Sequence, residues 1–420
     1  MNENMRNRVC FLVFLLLVGF MGCAGGPHPR KEDTHLKCFA TESTIESSQL
    51  DTYVKEKFKE RGPLQEGEVE WRILKWPQDK RAAVSLTFDD GTLDQYEVAA
   101  PLLGKAGIRA TFFIITGPRG SGVWMDGAHP RALFSWSDAL EIAKQGHEIG
   151  SHGISHSDLR RLWWKRDRKR IEGELEDSKT EILRYIPKKY LPGGADLSFS
   201  WPYWRTTPGL EQLAGEYYVA GRSGEGVLPL EVVRKPYAIH SKRVMSHDSI
   251  ESWSRHVQKV RQSKGWLLLT LHGIDNGNLK NHDIGWQPIR EAKFEALLEM
   301  VAAEDLWTAP FGEVYRYSRE RNRAHLVVEA MYPDRIFLRV EDGLDDQVFN
   351  IPLTVELSLP QSLEGNFEGG IVETLSGLPV SEVVLSESPL HRKVLQFSLV
   401  PKGEIVVIRS STSTAKLYKR

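Results

Sequence analysis

Residues Ala82-Ala83-Val84-Ser85-Leu86-Thr87-Phe88-Asp89-Asp90-Gly91 form an apolar run that stops on two adjacent carboxylates. An unbroken stretch of this kind suits a strand covered on both faces, as in parallel sheets packed by helices. Gly91 lets the chain turn sharply where the strand ends. Side chains alternate faces along a strand, yet at a bent strand end both carboxylates can meet at one mouth. Two acids that close repel unless a cation or a proton intervenes. One of them could then hold a metal while the other serves as a base. Alone, Asp-Asp-Gly is ordinarily a strand followed by an Asp-Gly turn, so the chemistry needs support from elsewhere in the chain.

The chain is large enough to bury such a strand. Its 420 residues exceed one ordinary domain and fit a barrel-sized unit plus something smaller. At 41% hydrophobic and 26% charged it is globular. Its 55 basic and 56 acidic residues give a net charge of -1, so no global field favours nucleic acid or an anionic membrane. The 3 cysteines, Cys10, Cys23 and Cys38, all lie near the N-terminus. A disulfide scaffold and a four-thiolate zinc site are thereby excluded from the main body.

Arg6 and Arg8 precede the apolar run Val9 to Met21, which ends in Gly22-Cys23-Ala24-Gly25-Gly26. A charged region, a short hydrophobic core and a small-residue cleavage zone make residues 1–22 a signal peptide, too short to span a membrane. Cys23 resembles the lipobox cysteine of bacterial lipoproteins, which is lipidated and becomes the mature N-terminus. Plain secretion, with Cys23 and Cys38 as a local disulfide, is the alternative. Either expectation puts the protein outside the cytoplasm, touching a membrane only through a lipid on Cys23. Residues 23–43 read as a polar tether. Residues 44–80 read as an amphipathic helix (Ile45, Leu50, Tyr53, Val54, Phe58) ended by Gly62-Pro63, then a lead-in segment with Trp71, Ile73, Leu74 and Trp76.

After Gly91 helices and strands alternate. Helices are expected over Asp94 to Ala106, Trp136 to Lys144, Asp167 to Tyr185, Ser252 to Gln262 and Pro288 to Ala303. Strands are expected over Arg109 to Ile115, Glu148 to Ser151, near Phe199, and over Tyr217 to Ala220, Trp266 to Leu271 and Leu306 to Ala309. This alternation predicts a parallel sheet, open or closed into a barrel, with chemistry at the carboxyl ends of the strands. The basic run Arg160, Arg161, Lys165, Arg166, Arg168, Lys169, Arg170, with Trp163 and Trp164, is followed at once by Glu172, Glu174, Glu176 and Asp177. Such mixed charge reads as a solvated helix face, not a nucleic-acid site. Beyond about Arg323 apolar residues alternate: Ile336, Leu338, Val340; Leu353, Val355, Leu357, Leu359; Leu395, Phe397, Leu399; Ile405, Val407. Period two between Pro and Gly turns predicts a small antiparallel β-sandwich over 325–420, serving to bind carbohydrate or as a structural lid or spacer.

Two further strand ends carry histidine. His152-Gly153-Ile154-Ser155-His156 follows Glu148 to Ser151, and His272-Gly273 follows Trp266 to Leu271. Histidines four apart share a face if the turn is helical. One histidine near a strand end is more often structural. Two with a carboxylate make a common three-ligand set for a catalytic divalent ion that keeps a position open for water. An ion there acidifies the water and polarises a carbonyl. A second carboxylate then has a role as general base, and a histidine opposite can protonate the leaving group. These parts fit metal-assisted hydrolysis of an amide or ester.

Thr87-Phe88-Asp89-Asp90-Gly91, His152 to His156 and Leu271-His272-Gly273 resemble, in order and strand context, the first, second and fifth motifs of the polysaccharide deacetylase (NodB-homology) family, carbohydrate esterase family 4. The resemblance covers roughly Arg81 to Tyr317, defines a domain over 81–320, and implies a distorted (β/α) barrel. It implies Asp89 as general base, Asp90, His152 and His156 as metal ligands, and His272 as general acid. Phe199-Ser200-Trp201-Pro202-Tyr203 resembles the third motif, in which the backbone N–H of Tyr203 would help stabilise the oxyanion. Two parts of the pattern depart. The arginine that precedes Pro-Tyr in many members and pairs with the base is missing from Asp196 to Trp201, leaving Arg205 as a substitute. The fourth motif, an acid near a Trp that tunes the histidine, is not readable, with Asp248 and Arg234 as candidates. Trp124, Trp201, Tyr203 and Trp286 lie near the motif loops, where rings stack on sugars, although aromatics this frequent also build cores.

The resemblance implies a metal-dependent enzyme that removes acetyl groups from a polysaccharide, foremost an N-acetylated amino-sugar polymer. An O-acetylated plant polysaccharide such as xylan is the alternative substrate. A glycan-binding lipoprotein that no longer catalyses, and a hydrolase of a small amide, are the competing classes. Zinc is the default ion for two imidazoles and a carboxylate; cobalt, nickel and iron fit similar sites.

Overall fold

The computed structural model describes residues 70–226, 233–303, 305–332, 335–358, 371–374, 384–387, 393–401, 403 and 405–409. The expected signal peptide, Cys23, the expected tether and the expected helix between Thr44 and Arg61 lie outside the described residues.

Strand β1 (Glu70–Ile73) leads to β2 (Ala82–Phe88), which is buried along its whole length as its apolar run requires. A π-helical turn over Gln95–Ala99 runs into α1 (Ala100–Lys105), and β3 (Thr111–Ile114) follows. A hairpin of β4 (Val123–Asp126) and β5 (His129–Ala132) precedes α2 (Trp136–Lys144), which Ser135 and Asp138 start with a capping box. Next come β6 (Glu148–Ser151), α3 (Leu159–Trp164), α4 (Arg168–Tyr185), β7 (Ser198–Ser200), α5 (Pro208–Ala214) and β8 (Ala220–Arg222). The α/β part ends with β9 (Lys242–Arg243), α6 (Ile250–Ser263), β10 (Trp266–Leu271), β11 (Ile274–Asp275), β12 (Ile289–Arg290), α7 (Glu291–Ala303), β13 (Leu306–Thr308) and α8 (Phe311–Arg321).

Eight strands form one sheet in the order β8-β7-β6-β3-β2-β10-β9, with β13 also on β2. All its ladders are parallel. An isolated parallel bridge, Arg222↔Ile239, ties the β8 edge to the chain just before β9 and curls the sheet into a distorted barrel. Phe88 and Phe112 stack at 5.0 Å in its core, with Phe294 edge-on at 5.8 Å. Full burial of each such ring contributes about 1.5–3 kcal/mol.

The expected strand over Tyr217 to Ala220 forms three residues later. Tyr217 and Tyr218 N–H still donate to Ala214 O, at 3.1 and 2.9 Å, so the end of α5 holds them and pairing with β7 waits until Ala220.

After α8 come β14 (His325–Tyr332), β15 (Arg335–Glu341), β16 (Leu353–Ser358), β17 (Ile371–Thr374), β18 (Val384–Glu387), β19 (Lys393–Leu399) and β20 (Val406–Arg409). They build two four-stranded sheets, β1-β16-β19-β18 and β14-β15-β20-β17, with antiparallel ladders. Ile336, Leu338, Val340, Val355, Leu357, Leu395, Phe397 and Ile408 share their core. The lead-in segment is more than a lead-in, because β1 pairs Trp71 with Leu357 and completes a sandwich sheet. Tyr317 Oη to Leu74 O (3.0 Å) and Arg316 Nε to Val348 O (2.9 Å) fasten α8 to the same region.

Candidate active site

The site is built at the carboxyl ends of β2, β6, β7, β8 and β10. Asp89 N–H still donates to Leu271 O at 3.0 Å, after which Asp90 and Gly91 turn with φ of 75° and 76°. A left-handed backbone is costly for a residue with a Cβ and persists only where the surroundings impose it. The buried Arg119 does so by donating to the carbonyls of Asp90 (3.2 Å) and Gly91 (3.3 Å). The turn sends the two carboxylates into different surroundings.

Asp90 Oδ1 lies 3.6 Å from His152 Nε2 and 3.7 Å from His156 Nε2. It is buried and accepts no hydrogen bond among the described residues. His152 Nδ1 donates to Ser200 O at 2.8 Å, so its Nε2 presents a lone pair to Asp90. Burial pulls His152 down from its ordinary value; burial and the neighbouring His152 pull His156 well down. Burial, then Asp89, pushes Asp90 well up. Ligand atoms of all three residues lie within 4.8 Å of one another. A carboxylate oxygen without a donor facing neutral imidazole nitrogens is a donor set that fits a divalent cation.

The two histidines do not share a helical face. The segment from 152 to 156 is a loop, with Gly153 at φ 79° and His156 at φ 57°. Glu174 of α4 holds it, accepting from Ile154 N (2.8 Å), Ser155 N (3.0 Å) and Ser155 Oγ. Glu174 belongs to the acidic run read as a solvated face, yet it is buried against the loop.

Asp89 meets a different set. Arg222, fully buried at the end of β8, places Nη2 at 2.5 Å from both its carboxylate oxygens. The same guanidinium donates to Thr270 Oγ1 (2.7 Å), Ser241 Oγ (3.2 Å) and Ser200 Oγ. Burial would raise Asp89, but Arg222, with His152 and His272, outweighs it and holds the carboxyl below the usual range. His272 Nε2 stands 3.8 Å from Asp89 Oδ2. Burial pulls His272 down to about 4, with Asp89 opposing and Arg222, His152 and Arg243 adding to the fall.

Arg222 is the basic partner that the third motif lacks. Arg205 is not, because it pairs with Asp158 at 2.8 Å. Asp248 accepts from Met245 N (2.9 Å) and Trp253 Nε1 (3.4 Å) and holds its own loop, while Arg234 is exposed. The readable signal for Arg222 was a charged residue ending the small-residue strand Ala220-Gly221-Arg222, concealed by the misplaced strand.

Aromatic rings rim the mouth. Trp124 lies 5.0 Å and Tyr203 4.6 Å from His156, and Trp286 lies 5.1 Å from His272. Tyr203 is 54% exposed and sits at φ 56°, followed by Trp204 at φ 61°. Trp201 has no place there: it is fully buried, with Nε1 donating to Tyr237 O at 2.7 Å.

Residues 77–215 match the family model described as polysaccharide deacetylase. Among curated proteins, the chain is 24% identical over 371 residues to a gellan lyase of Bacillus sp, a match covering 84% of this chain and 14% of that protein. It is 30% identical over 112 residues to a chitin deacetylase of Pestalotiopsis sp, covering 26% of this chain and 33% of the relative. The chain thus spans less than half the length of either. A solved chitin deacetylase from Colletotrichum lindemuthianum aligns with TM-score 0.38 and 18% identity over 58% of this chain and 90% of that one. A family 4 carbohydrate esterase from Streptomyces lividans aligns with TM-score 0.36 and 15% identity over 55% and 93%. With the matched sequence pattern, the curled parallel sheet and the strand-end motifs together, the chain contains a polysaccharide deacetylase domain of the NodB, carbohydrate esterase family 4 kind.

Proposed function

We propose that the protein is a metal-dependent hydrolase that removes acetyl groups from a polysaccharide, an N-acetylated amino-sugar polymer in the first instance. The observation that carries this reading is the division of labour between neighbouring aspartates. Asp90 Oδ1 faces His152 and His156 at 3.6 and 3.7 Å without a donor, while Asp89 is paired with Arg222 at 2.5 Å. Asp90, His152 and His156 would hold the ion, with zinc the default for that donor set and cobalt, nickel or iron fitting similar sites. When bound, a divalent ion supplies charge that polarises an acetyl carbonyl and acidifies a water.

Asp89, kept ionised by Arg222, takes the proton of the attacking water. His272, neutral at rest, passes on to the departing amine the proton that Asp89 takes from the water; its Nε2 lies 3.8 Å from Asp89 Oδ2. The backbone N–H of Tyr203 serves as a donor to the developing oxyanion. Trp124, Tyr203 and Trp286 offer faces on which sugar rings stack. An extracytoplasmic location, read from the N-terminal residues, belongs to the same proposal.

The test is acetate release from acetylated chitooligosaccharides and acetylated xylan, before and after chelation and zinc addition. Release from the amino-sugar polymer, lost with chelator and restored by zinc, is the expected result. Release from xylan alone would move the reaction to ester cleavage. Bound metal with no acetate from any acetylated glycan would leave a binding protein.

A further inference from the structure

We propose that Gln95 is a positioning residue whose side-chain amide locks the strand end bearing the base to the strand end bearing the acid. This rests on the roles given above to Asp89 and His272. Strands β2 and β10 run parallel, and their last paired residues are Phe88 and Leu271. Asp89 N–H to Leu271 O, at 3.0 Å, is the final backbone bond of that ladder. Beyond it, Gln95 Nε2 donates to Asp89 O at 2.5 Å and to His272 O at 2.7 Å. One amide thereby adds a rung past the end of the sheet, and its two acceptors belong to the two residues that must move a proton between water and leaving group.

The chemistry of the position selects glutamine. Both partners are carbonyl oxygens, so only a group with two hydrogens serves both. A carboxylate offers none, a hydroxyl offers one, and asparagine is shorter by a methylene. Gln95 is fully buried, and its Oε1 has no hydrogen-bond partner among the described residues. Leaving a buried acceptor unsatisfied is unfavourable, and the two bonds from Nε2 are what offsets it. Gln95 also opens the π-helical turn Gln95–Ala99. Such turns are rare and concentrate at functional sites, where the widened turn re-aims a side chain.

The preceding residue completes the arrangement with the opposite polarity. Buried Asp94 accepts from Ile274 N (2.5 Å) through Oδ2 and from Gly285 N (3.0 Å) through Oδ1. A Cβ on Gly285 would lie 2.8 Å from the His272 carbonyl, so that loop closes tightly on the acid. Residues 94 and 95 therefore grip the His272 segment by the Ile274 N–H and the His272 carbonyl, and the loop packed on it by the Gly285 N–H. The metal side is held by other means, Arg119 at the Asp90 turn and Glu174 at the histidine loop.

The test is Gln95→Met, which keeps length but has no hydrogen to donate, alongside Gln95→Glu, both in the full chain. Expected are unchanged metal stoichiometry, KM within about twofold, and kcat for acetate release lower by about 100-fold, the scale of a 1 Å misplacement. A crystal structure of Gln95→Met should show Asp89 Oδ2 and His272 Nε2 drawn apart beyond the present 3.8 Å. In the unaltered protein, NMR should find both Gln95 side-chain amide hydrogens protected from solvent exchange. Full kcat in Gln95→Met, an unchanged separation, or a fast-exchanging amide each overturns the proposal. If neither variant folds, the exchange measurement decides alone. If the unaltered protein releases no acetate, the deacetylase reading fails, and separation and exchange still decide whether the clamp exists.

Discussion

Asp89 and Asp90 are neighbours in the chain and both are buried, at 0% and 4% exposure, yet they meet opposite surroundings. Asp89 receives a fully buried guanidinium; Asp90 Oδ1 faces two imidazole Nε2 atoms and accepts no hydrogen bond among the described residues. Burying an uncompensated carboxylate is unfavourable by several kcal/mol. The protein compensates one from within, and on the proposed function the other is compensated by a bound cation. The lesson is that adjacency in sequence says little about role when one positive-φ residue swings between them.

The largest effect expected from breaking this comparison is that of His152→Ala. One of three ligands is lost, so metal analysis after dialysis should find no stoichiometric ion and acetate release should vanish. Full metal occupancy would sink the ligand set. Asp89→Asn comes next. It keeps volume and leaves the ligands in place, so turnover should fall about 10²–10⁴-fold with metal retained. Unchanged turnover would remove Asp89 from the base role, and loss of metal would mean that the two aspartates act as one unit.

Arg222→Met attacks the other half directly. Asp89 would stay buried without its cation, and stability at neutral pH should fall by about 3–5 kcal/mol in denaturant unfolding. Arg222 holds Asp89 below the usual carboxylate range, so the stability from that depression is present above the unfolded value, about 3.9, and lost as pH falls through the lower folded value. Without Arg222, burial is opposed only by His152 and His272, and Asp89 moves up. The stability deficit should therefore narrow in acid, and the acid limb of kcat/KM should move to higher pH. A limb that stays where it was would mean that Arg222 is structural only.

The same division explains what was legible in the sequence. Asp89 and Asp90 follow β2, His152 follows β6 and His272 follows β10, with His156 one short loop beyond His152, so local pattern located them, and a parallel sheet brings such ends to one mouth. Arg222 lies 133 positions from its partner, at a strand whose start depends on how far α5 holds Tyr217 and Tyr218. Helical spacing for the histidines was the wrong geometry, because the loop uses left-handed Gly153 and His156, which no periodicity reports. Glu174 was hidden by its charged neighbours: a solvated face and a buried clamp use the same residue type. Alternation located β15, β16, β19 and β20 but not β14, β17 or β18. The place of β1 did not show, because its partner is remote: Arg72 meets Glu356 across 284 positions.

The smallest effect belongs to Arg205, which chain position alone offers to Asp89, two residues past Tyr203. Its guanidinium is 50% exposed and bound to Asp158 at 2.8 Å, a setting where an ion pair is worth about 0–1 kcal/mol. Arg205→Ala should leave kcat and the acid limb unchanged and shift unfolding by less than about 1 kcal/mol. Asp158 caps α3 by accepting from Arg161 N at 3.1 Å, directly after the loop that carries His156. Any effect of losing Arg205 can reach the site only by loosening that loop, so it should appear in metal affinity and not in the pH profile. A displaced acid limb in this variant would instead mean that the field at Asp89 is shared between two arginines, and the contrast drawn from Arg222 would have to be redrawn.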